Sequence, residues 1–268
     1  MCQLLGMNCN VPTDICFSFS GFRERGGATD IHSDGWGIAF FEGKGTRIFL
    51  DPQPSSTSPV AELVRHYPIR SQNVIAHIRK ATQGSVRLEN THPFMRELWG
   101  RYWIFAHNGN LIELSPELDG SFLPVGTTDS EQAFCWLLQE LRRRFGNTMP
   151  GYPALFAAIH ALSLELSLHG EFNFLLSNGD RLFAHASTRL NYIIRQAPFA
   201  RAHLKDQDIS IDFSDVTTPN DRVAIIATQP LTDNEVWTEM PPGTLWCFED
   251  GAPVGTLPTR PGPVRKTA

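Results

Sequence analysis

No stretch of the 268-residue chain approaches the roughly 18 consecutive apolar residues that a membrane-spanning helix needs. The opening Met1-Cys2-Gln3-Leu4-Leu5-Gly6-Met7-Asn8 lacks the positive flank and long apolar core of a secretory signal. Both absences point to a cytoplasmic protein with no membrane partner. Basic residues do not cluster: the longest run is Arg142-Arg143-Arg144 and the formal net charge is −5, which argues against a nucleic-acid partner. The five cysteines are an odd number, form no Cys-x-x-Cys pair and have no metal-ligand spacing. In a reducing compartment they are expected as free thiols. A Gly-x-Gly-x-x-Gly turn and a Walker loop are both missing, so no dinucleotide or nucleotide site is indicated. No metal and no organic cofactor are expected. There is also no internal repeat and no long linker, and one continuous domain is expected over residues 2–256, with a flexible tail over 257–268 that holds three prolines.

What is present has the pattern of a mixed α+β chain. Gly35 to Phe41 and Arg47 to Leu50 read as paired strands around the turn Glu42-Gly43-Lys44-Gly45. Val74 to Arg79 reads as a buried strand, and Tyr102 to His107 as another that stops at the turn signal Asn108-Gly109. Asp51 to Pro59, rich in Pro, Ser and Thr, reads as a surface loop. Asp129 with Gln132 resembles a capping box ahead of a helix through Leu141, and Tyr152 to Leu168 has helical spacing of its apolar residues. Strands return at Phe172 to Ser177 and Arg181 to Ala186, flanking the hairpin signal Asn178-Gly179-Asp180, and again at Val223 to Thr228 and Thr244 to Glu249. Strands, two helices, then strands suggest two sheets with helices on their outer faces.

Four short segments carry chemistry. Removal of Met1 would leave Cys2 with a thiol (unperturbed pKa about 8.5) and a free α-amine (about 7.7–8.0), a pairing in which the amine serves as base for the nucleophile. Met-Cys is equally what an ordinary translation start produces. Arg79, in His77-Ile78-Arg79-Lys80-Ala81-Thr82-Gln83-Gly84, stands where a strand gives way to a loop, and its guanidinium fork suits a carboxylate. It also suits a structural ion pair. Asn108 and Gly109 could supply a side-chain amide and a backbone N–H to a developing oxyanion, or simply form a hairpin turn. Asp129, in Gly126-Thr127-Thr128-Asp129-Ser130-Glu131, could pair with an ammonium or cap its helix. Cys135, on the apolar face of the helix expected there, fits a buried inert thiol better than a nucleophile.

In their order and joint spacing, Cys2, the segment His77 to Gly84, Asn90-Thr91-His92-Pro93, His107-Asn108-Gly109 and Thr127-Thr128-Asp129 resemble the glutaminase domain of class II glutamine amidotransferases. The resemblance spans about Cys2 to Glu249 and implies the Ntn-hydrolase fold, a four-layer αββα sandwich. It further implies that Cys2 is the nucleophile and that Asn108 and Gly109 form the oxyanion hole. Arg79 would bind the substrate α-carboxylate, Asp129 its α-ammonium, and Thr82 and His92 would shape the pocket. Two positions depart from the family's usual His-Thr-Arg-Trp-Ala-Thr-His-Gly: Lys80 replaces Trp and Gln83 replaces His. That Trp is associated with passing ammonia to a synthase domain, which does not follow here. The segments Asp34 to Gly43 and Ala227 to Trp237 resemble a stand-alone, YafJ-like branch that includes a γ-glutamyl hydrolase of ergothioneine biosynthesis. The expected substrate is therefore glutamine or a larger γ-glutamyl amide. The alternatives are a glutaminase subunit serving a separate synthase, and a non-catalytic γ-glutamyl-binding protein.

Overall fold

Strand alternation sorts the apolar side chains into three separate layers of core, and those layers define the architecture. In the computed structural model, which describes residues 2–260, every paired strand runs antiparallel to its neighbours. The first sheet contains β1 (Gln3–Thr13), β2 (Trp36–Glu42), β3 (Gly45–Asp51), β4 (Ser71–Ile78), β9 (Asn191–Gln196), β12 (Arg222–Ala227) and β13 (Thr238–Glu239), in the order β13-β9-β12-β1-β4-β2-β3. The second contains β5 (Phe94–Leu98), β6 (Arg101–Leu111), β7 (Gly170–Ser177), β8 (Leu182–Ala186), β14 (Thr244–Glu249) and β15 (Ala252–Pro258), in the order β15-β14-β8-β7-β6-β5. A small ribbon of β10 (Arg201–His203) and β11 (Ser210–Asp212) stands apart.

Leu4, Ile75, Ile104, Ala106, Leu175, Leu182 and Ile226 fill the space between the two sheets. The alternate residues of the first sheet, among them Leu5, Met7, Ile38 and Val74, pack outward against Phe19 and Phe22 of α1 (Cys16–Glu24) and Ala61 and Val64 of α2 (Pro59–His66). On the far side, Trp103, Phe105, Phe172 and Phe174 pack against α3 (Asp129–Phe145) and α4 (Tyr152–Leu166). The result is the four-layer αββα sandwich that the resemblance implies. Gly6 lets the two sheets close: a Cβ there would lie 3.0 Å from Leu175 and 3.1 Å from Leu182.

Three local expectations are revised. Asn108-Gly109 is no turn; β6 runs straight through it to Leu111, with Gly109 opposite Phe172. The glycine is required for close approach, since a Cβ would stand within 1.8 Å of the Glu171 carbonyl oxygen. The cap of α3 is Thr128, whose side chain accepts from Glu131 N at 3.2 Å, and Asp129 is the first helical residue. The tail expected from Leu257 starts inside β15, where Leu257 pairs with Leu245 and Pro258 with Thr244; residues 261–268 of that tail lie outside the described residues. β1, α1 and α2 were not expected. α2 does carry a readable start, with Ser58 accepting from Ala61 N at 3.2 Å and Pro59 at the first turn.

Candidate active site

The register of β1 against β4, Gln3 opposite Ile78, places Cys2 beside the chain leaving β4. The Lys80 N–H points to Cys2 Sγ at 3.3 Å, and the thiol faces the Lys80 carbonyl oxygen at 3.4 Å. Burial pushes the Cys2 thiol above its ordinary pKa, opposed by the Lys80 N–H and the positive charge of Arg79. On the other flank of β1, Thr228 closes the strand end: its hydroxyl oxygen accepts from Leu4 N at 2.9 Å, and its own N–H donates to Leu4 O at 3.1 Å. The same hydroxyl meets Asn108 Nδ2 of the second sheet at 3.5 Å, which ties the two sheets together at this end.

Asn108 is 1% exposed, and its backbone carbonyl is held by Asn173 Nδ2 at 3.0 Å. Its Oδ1 is buried with no hydrogen-bond partner among the described residues, while its Nδ2 faces the Thr228 hydroxyl. Asp129 is 7% exposed; Oδ2 accepts from Leu111 N at 2.7 Å, and Oδ1 faces the Ser130 hydroxyl at 3.4 Å. Its place in the first turn of α3 puts the carboxylate against the positive end of the helix dipole.

Arg79 is 3% exposed, and no carboxylate lies within ion-pair distance among the described residues. Its guanidinium donates instead to three backbone carbonyls of the following loop, Gln83 O at 2.8 Å and Gly84 O and Ser85 O at 3.0 Å each. The structural ion pair considered from sequence is thus not what holds Arg79. Gln83 in turn donates to Asn110 Oδ1 at 2.6 Å, fastening the loop to the end of β6. Burial lowers the Arg79 pKa from its ordinary value, opposed by the nearby Cys2, Asp34 and Asp129, and Asp34 accepts from Ala81 N at 2.8 Å. A buried cation whose hydrogen bonds all go to backbone carbonyls, near a buried carboxylate, suits a zwitterionic guest.

The remaining expected residues fall differently. Thr82 is exposed on the loop after β4. His92 is 3% exposed and stacks on His77 (4.2 Å between ring centres) and Phe94 (4.4 Å), beneath the site rather than on its surface. His77 Nε2–H donates to His107 O at 3.1 Å. His107 Nε2–H donates to Glu171 O at 3.0 Å, leaving Nδ1 to face Ser130 Oγ at 2.8 Å. Burial lowers the pKa of all three imidazoles, His77 to about 3. They are neutral packing groups under the site. Thr228 and Asn173, which sequence reasoning did not single out as site residues, complete the arrangement. Cys135 and Cys247 are buried, and their thiols are pushed up to about 11 and about 12. Among the described residues no cluster of His, Cys, Asp or Glu could hold a metal, and no helix is long and apolar enough to cross a membrane.

The sequence pattern of the class-II glutamine amidotransferases matches residues 1–267. The chain belongs to this family. It is 58% identical over 250 residues to YafJ of Escherichia coli (strain K12), a protein assigned provisionally as a glutamine amidotransferase; the match covers 92% of this chain and 98% of that one. The crystal structure of a predicted glutamine amidotransferase from Pseudomonas aeruginosa PA01 superposes with a TM-score of 0.75 at 44% identity, over 94% of this chain and 99% of that one. A more distant similarity, 24% over 229 residues, covers 84% of this chain and 78% of the γ-glutamyl-hercynylcysteine sulfoxide hydrolase of Mycobacterium tuberculosis. As a class-II glutamine amidotransferase the chain is a hydrolytic enzyme acting on a small-molecule amide.

Proposed function

We propose that the enzyme cleaves glutamine or a γ-glutamyl amide through a γ-glutamyl thioester on Cys2, once removal of Met1 frees the Cys2 amine. The observation that carries this reading is the meeting, at one end of the sandwich, of the Cys2 thiol, a buried arginine without an ion pair among the described residues and a buried aspartate, with the Asn108 Nδ2 donor 3.5 Å from the Thr228 hydroxyl that closes β1. Arg79 holds the α-carboxylate of the glutamyl group and Asp129 its α-ammonium, which fixes the γ-carbonyl beside Cys2. The Cys2 thiol transfers its proton to the α-amine, directly or through a water, and sulfur attacks the carbonyl carbon. Asn108 Nδ2 and the Gly109 N–H receive the oxyanion. Collapse of the tetrahedral adduct breaks the C–N bond, and the ammonium carries its proton to the leaving amine. Water then adds to the thioester, and glutamate leaves as the Cys2 thiol is restored. Thr82 and His92 are assigned to the pocket wall and floor. The reaction is placed in the cytoplasm.

Lys80, where the family usually has Trp, and the similarity to a γ-glutamyl-hercynylcysteine sulfoxide hydrolase favour a leaving group larger than ammonia. Delivery of ammonia to a separate synthase is the second reading, for which glutamine hydrolysis would be slow alone and accelerated by that protein. Amine release from glutamine and from a set of γ-glutamyl amides separates them. A higher kcat/KM for larger amides is expected, preference for free glutamine favours the second reading, and turnover of neither contradicts both.

A further inference from the structure

A second cavity, of about 320 Å³, lies on the outer face of the first sheet and shares no residue with the site around Cys2. Its volume is within the range of small-molecule pockets, roughly 300–1,000 Å³. The floor is apolar and comes from adjacent strands: Met7 of β1 sits opposite Ile225 of β12, and Val223 lies beside them. One wall is a rigid stack. The Arg195 guanidinium lies 4.5 Å over the Phe213 ring and 5.7 Å over Phe17, and those two rings meet edge to face at 5.5 Å. That arginine is already neutralised, since Glu235 receives Nε at 2.9 Å and Nη2 at 2.6 Å.

Arg70, on the rim, is different. It is exposed, and its guanidinium makes no hydrogen bond and no ion pair among the described residues. Two carboxylates stand near the rim. Asp14 accepts from Cys16 N at 3.1 Å at the start of α1, and Asp221, lowered chiefly by hydrogen bonds from Thr218, also feels the charge of Arg70. An apolar floor, aromatic walls and one uncommitted guanidinium at the mouth fit a molecule with a flat or branched hydrocarbon body and a single negative group.

We propose that this cavity is a second small-molecule site, for an amphipathic carboxylate whose hydrocarbon body lies against Phe17 and Phe213 and whose carboxylate meets Arg70. The two floor strands continue into the first site, β1 to Cys2 in five residues and β12 to Thr228 in three beyond Ile225. An occupant would therefore rest about 17 Å from the nucleophile along β1, at ~3.3 Å per residue.

Calorimetric titration with 2-naphthoate and with its uncharged isostere 2-naphthamide tests the assignment. The wild-type enzyme is expected to bind the carboxylate about ten-fold more tightly than the amide, the scale of a charge-assisted hydrogen bond at a partly exposed site. Arg70→Gln, at an exposed position where folding is not at stake, should remove that preference while leaving the amide unaffected. Phe213→Ala should weaken both. Equal affinity of the wild type for the two probes, an Arg70→Gln variant that retains the preference, or no binding of naphthoate up to its solubility limit would overturn the proposal.

Discussion

The two ends of the sandwich treat charge in opposite ways. At the hairpin end, where the turns after β2, β5 and β7 gather, Arg101 pairs with Asp180 at 2.6 Å with both side chains 40% exposed or more, and Tyr152 also donates to Asp180 at 2.7 Å. At the other end Arg79 and Asp129 are buried, and neither makes an ion pair among the described residues; backbone carbonyls hold Arg79, and the Leu111 N–H and the Ser130 hydroxyl hold Asp129. Exposed charges can satisfy one another at little cost or gain. Buried ones kept apart by the fold are strained in energy until a counter-charge arrives. The contrast supports the proposal that the Arg79 end receives a charged guest, and it can be broken by mutation.

The largest effect is expected at Asn108. Asn108→Ala should lower kcat by about a hundred- to a thousand-fold with little change in KM, because in the proposed mechanism its amide acts on charge that appears only in the transition state. A matching rise in KM would instead make Asn108 a ground-state binding residue. Arg79→Lys keeps the charge but removes the fork, and KM for the γ-glutamyl substrate should rise about ten- to a hundred-fold. The same change at Arg101 should leave KM unaltered.

Protonation sharpens the comparison further, because the site end rests on neutral imidazoles. His77 has a folded pKa of about 3 against roughly 6.5 unfolded, so the unfolded chain binds the extra proton between those values. Its contribution to stability is complete above pH 6.5 and is withdrawn as pH falls toward 3. His92 and His107 are shifted in the same direction. Urea unfolding between pH 7 and pH 5 should therefore lose at least about 1.4 kcal/mol per pH unit over the lower part of that range. A flat profile would show that these rings take up protons in the folded enzyme as readily as in the unfolded chain.

Thr228→Val should destabilise the enzyme by about 1–3 kcal/mol, by leaving the Leu4 N–H without its acceptor at a buried strand end. It should also lower kcat, since the link to Asn108 is lost. The smallest effect belongs to the hairpin end. Arg101→Gln should change stability by no more than ~0.5 kcal/mol, as for most exposed ion pairs. A larger change would mean that this pair is structural and that the contrast between the two ends is weaker than drawn.

The parts of this arrangement that could be read from sequence were those set by local chemistry. Glu42 to Gly45 and Asn178 to Asp180 are short turns between alternating strands, and both hairpins lie where those residues put them. β1 was not legible because its interior is polar as well as apolar. Asn8 is 1% exposed, bonding Asn73 at 2.9 Å and Gly251 N at 2.8 Å, partners 65 and 243 residues away. Asn108-Gly109 misled for a related reason. The dipeptide prefers a turn in isolation, but eight registered pairs with β7 hold it extended. In the site, Cys2, Arg79, Asn108 and Asp129 could be grouped only because a family resemblance fixed their order; no periodicity brings them together. Thr228 and Asn173 act through contacts across the sheets, which nothing in their local sequence announces.

The most direct test of the account is the intact mass of the purified enzyme before and after exposure to 6-diazo-5-oxo-norleucine, a reactive glutamine mimic. Wild-type protein lacking Met1 should take up one adduct, on Cys2, and the Cys2→Ala variant none. Uptake on another cysteine, or a processed wild-type protein that takes up nothing, would contradict the assignment of Cys2 as the nucleophile of a γ-glutamyl site.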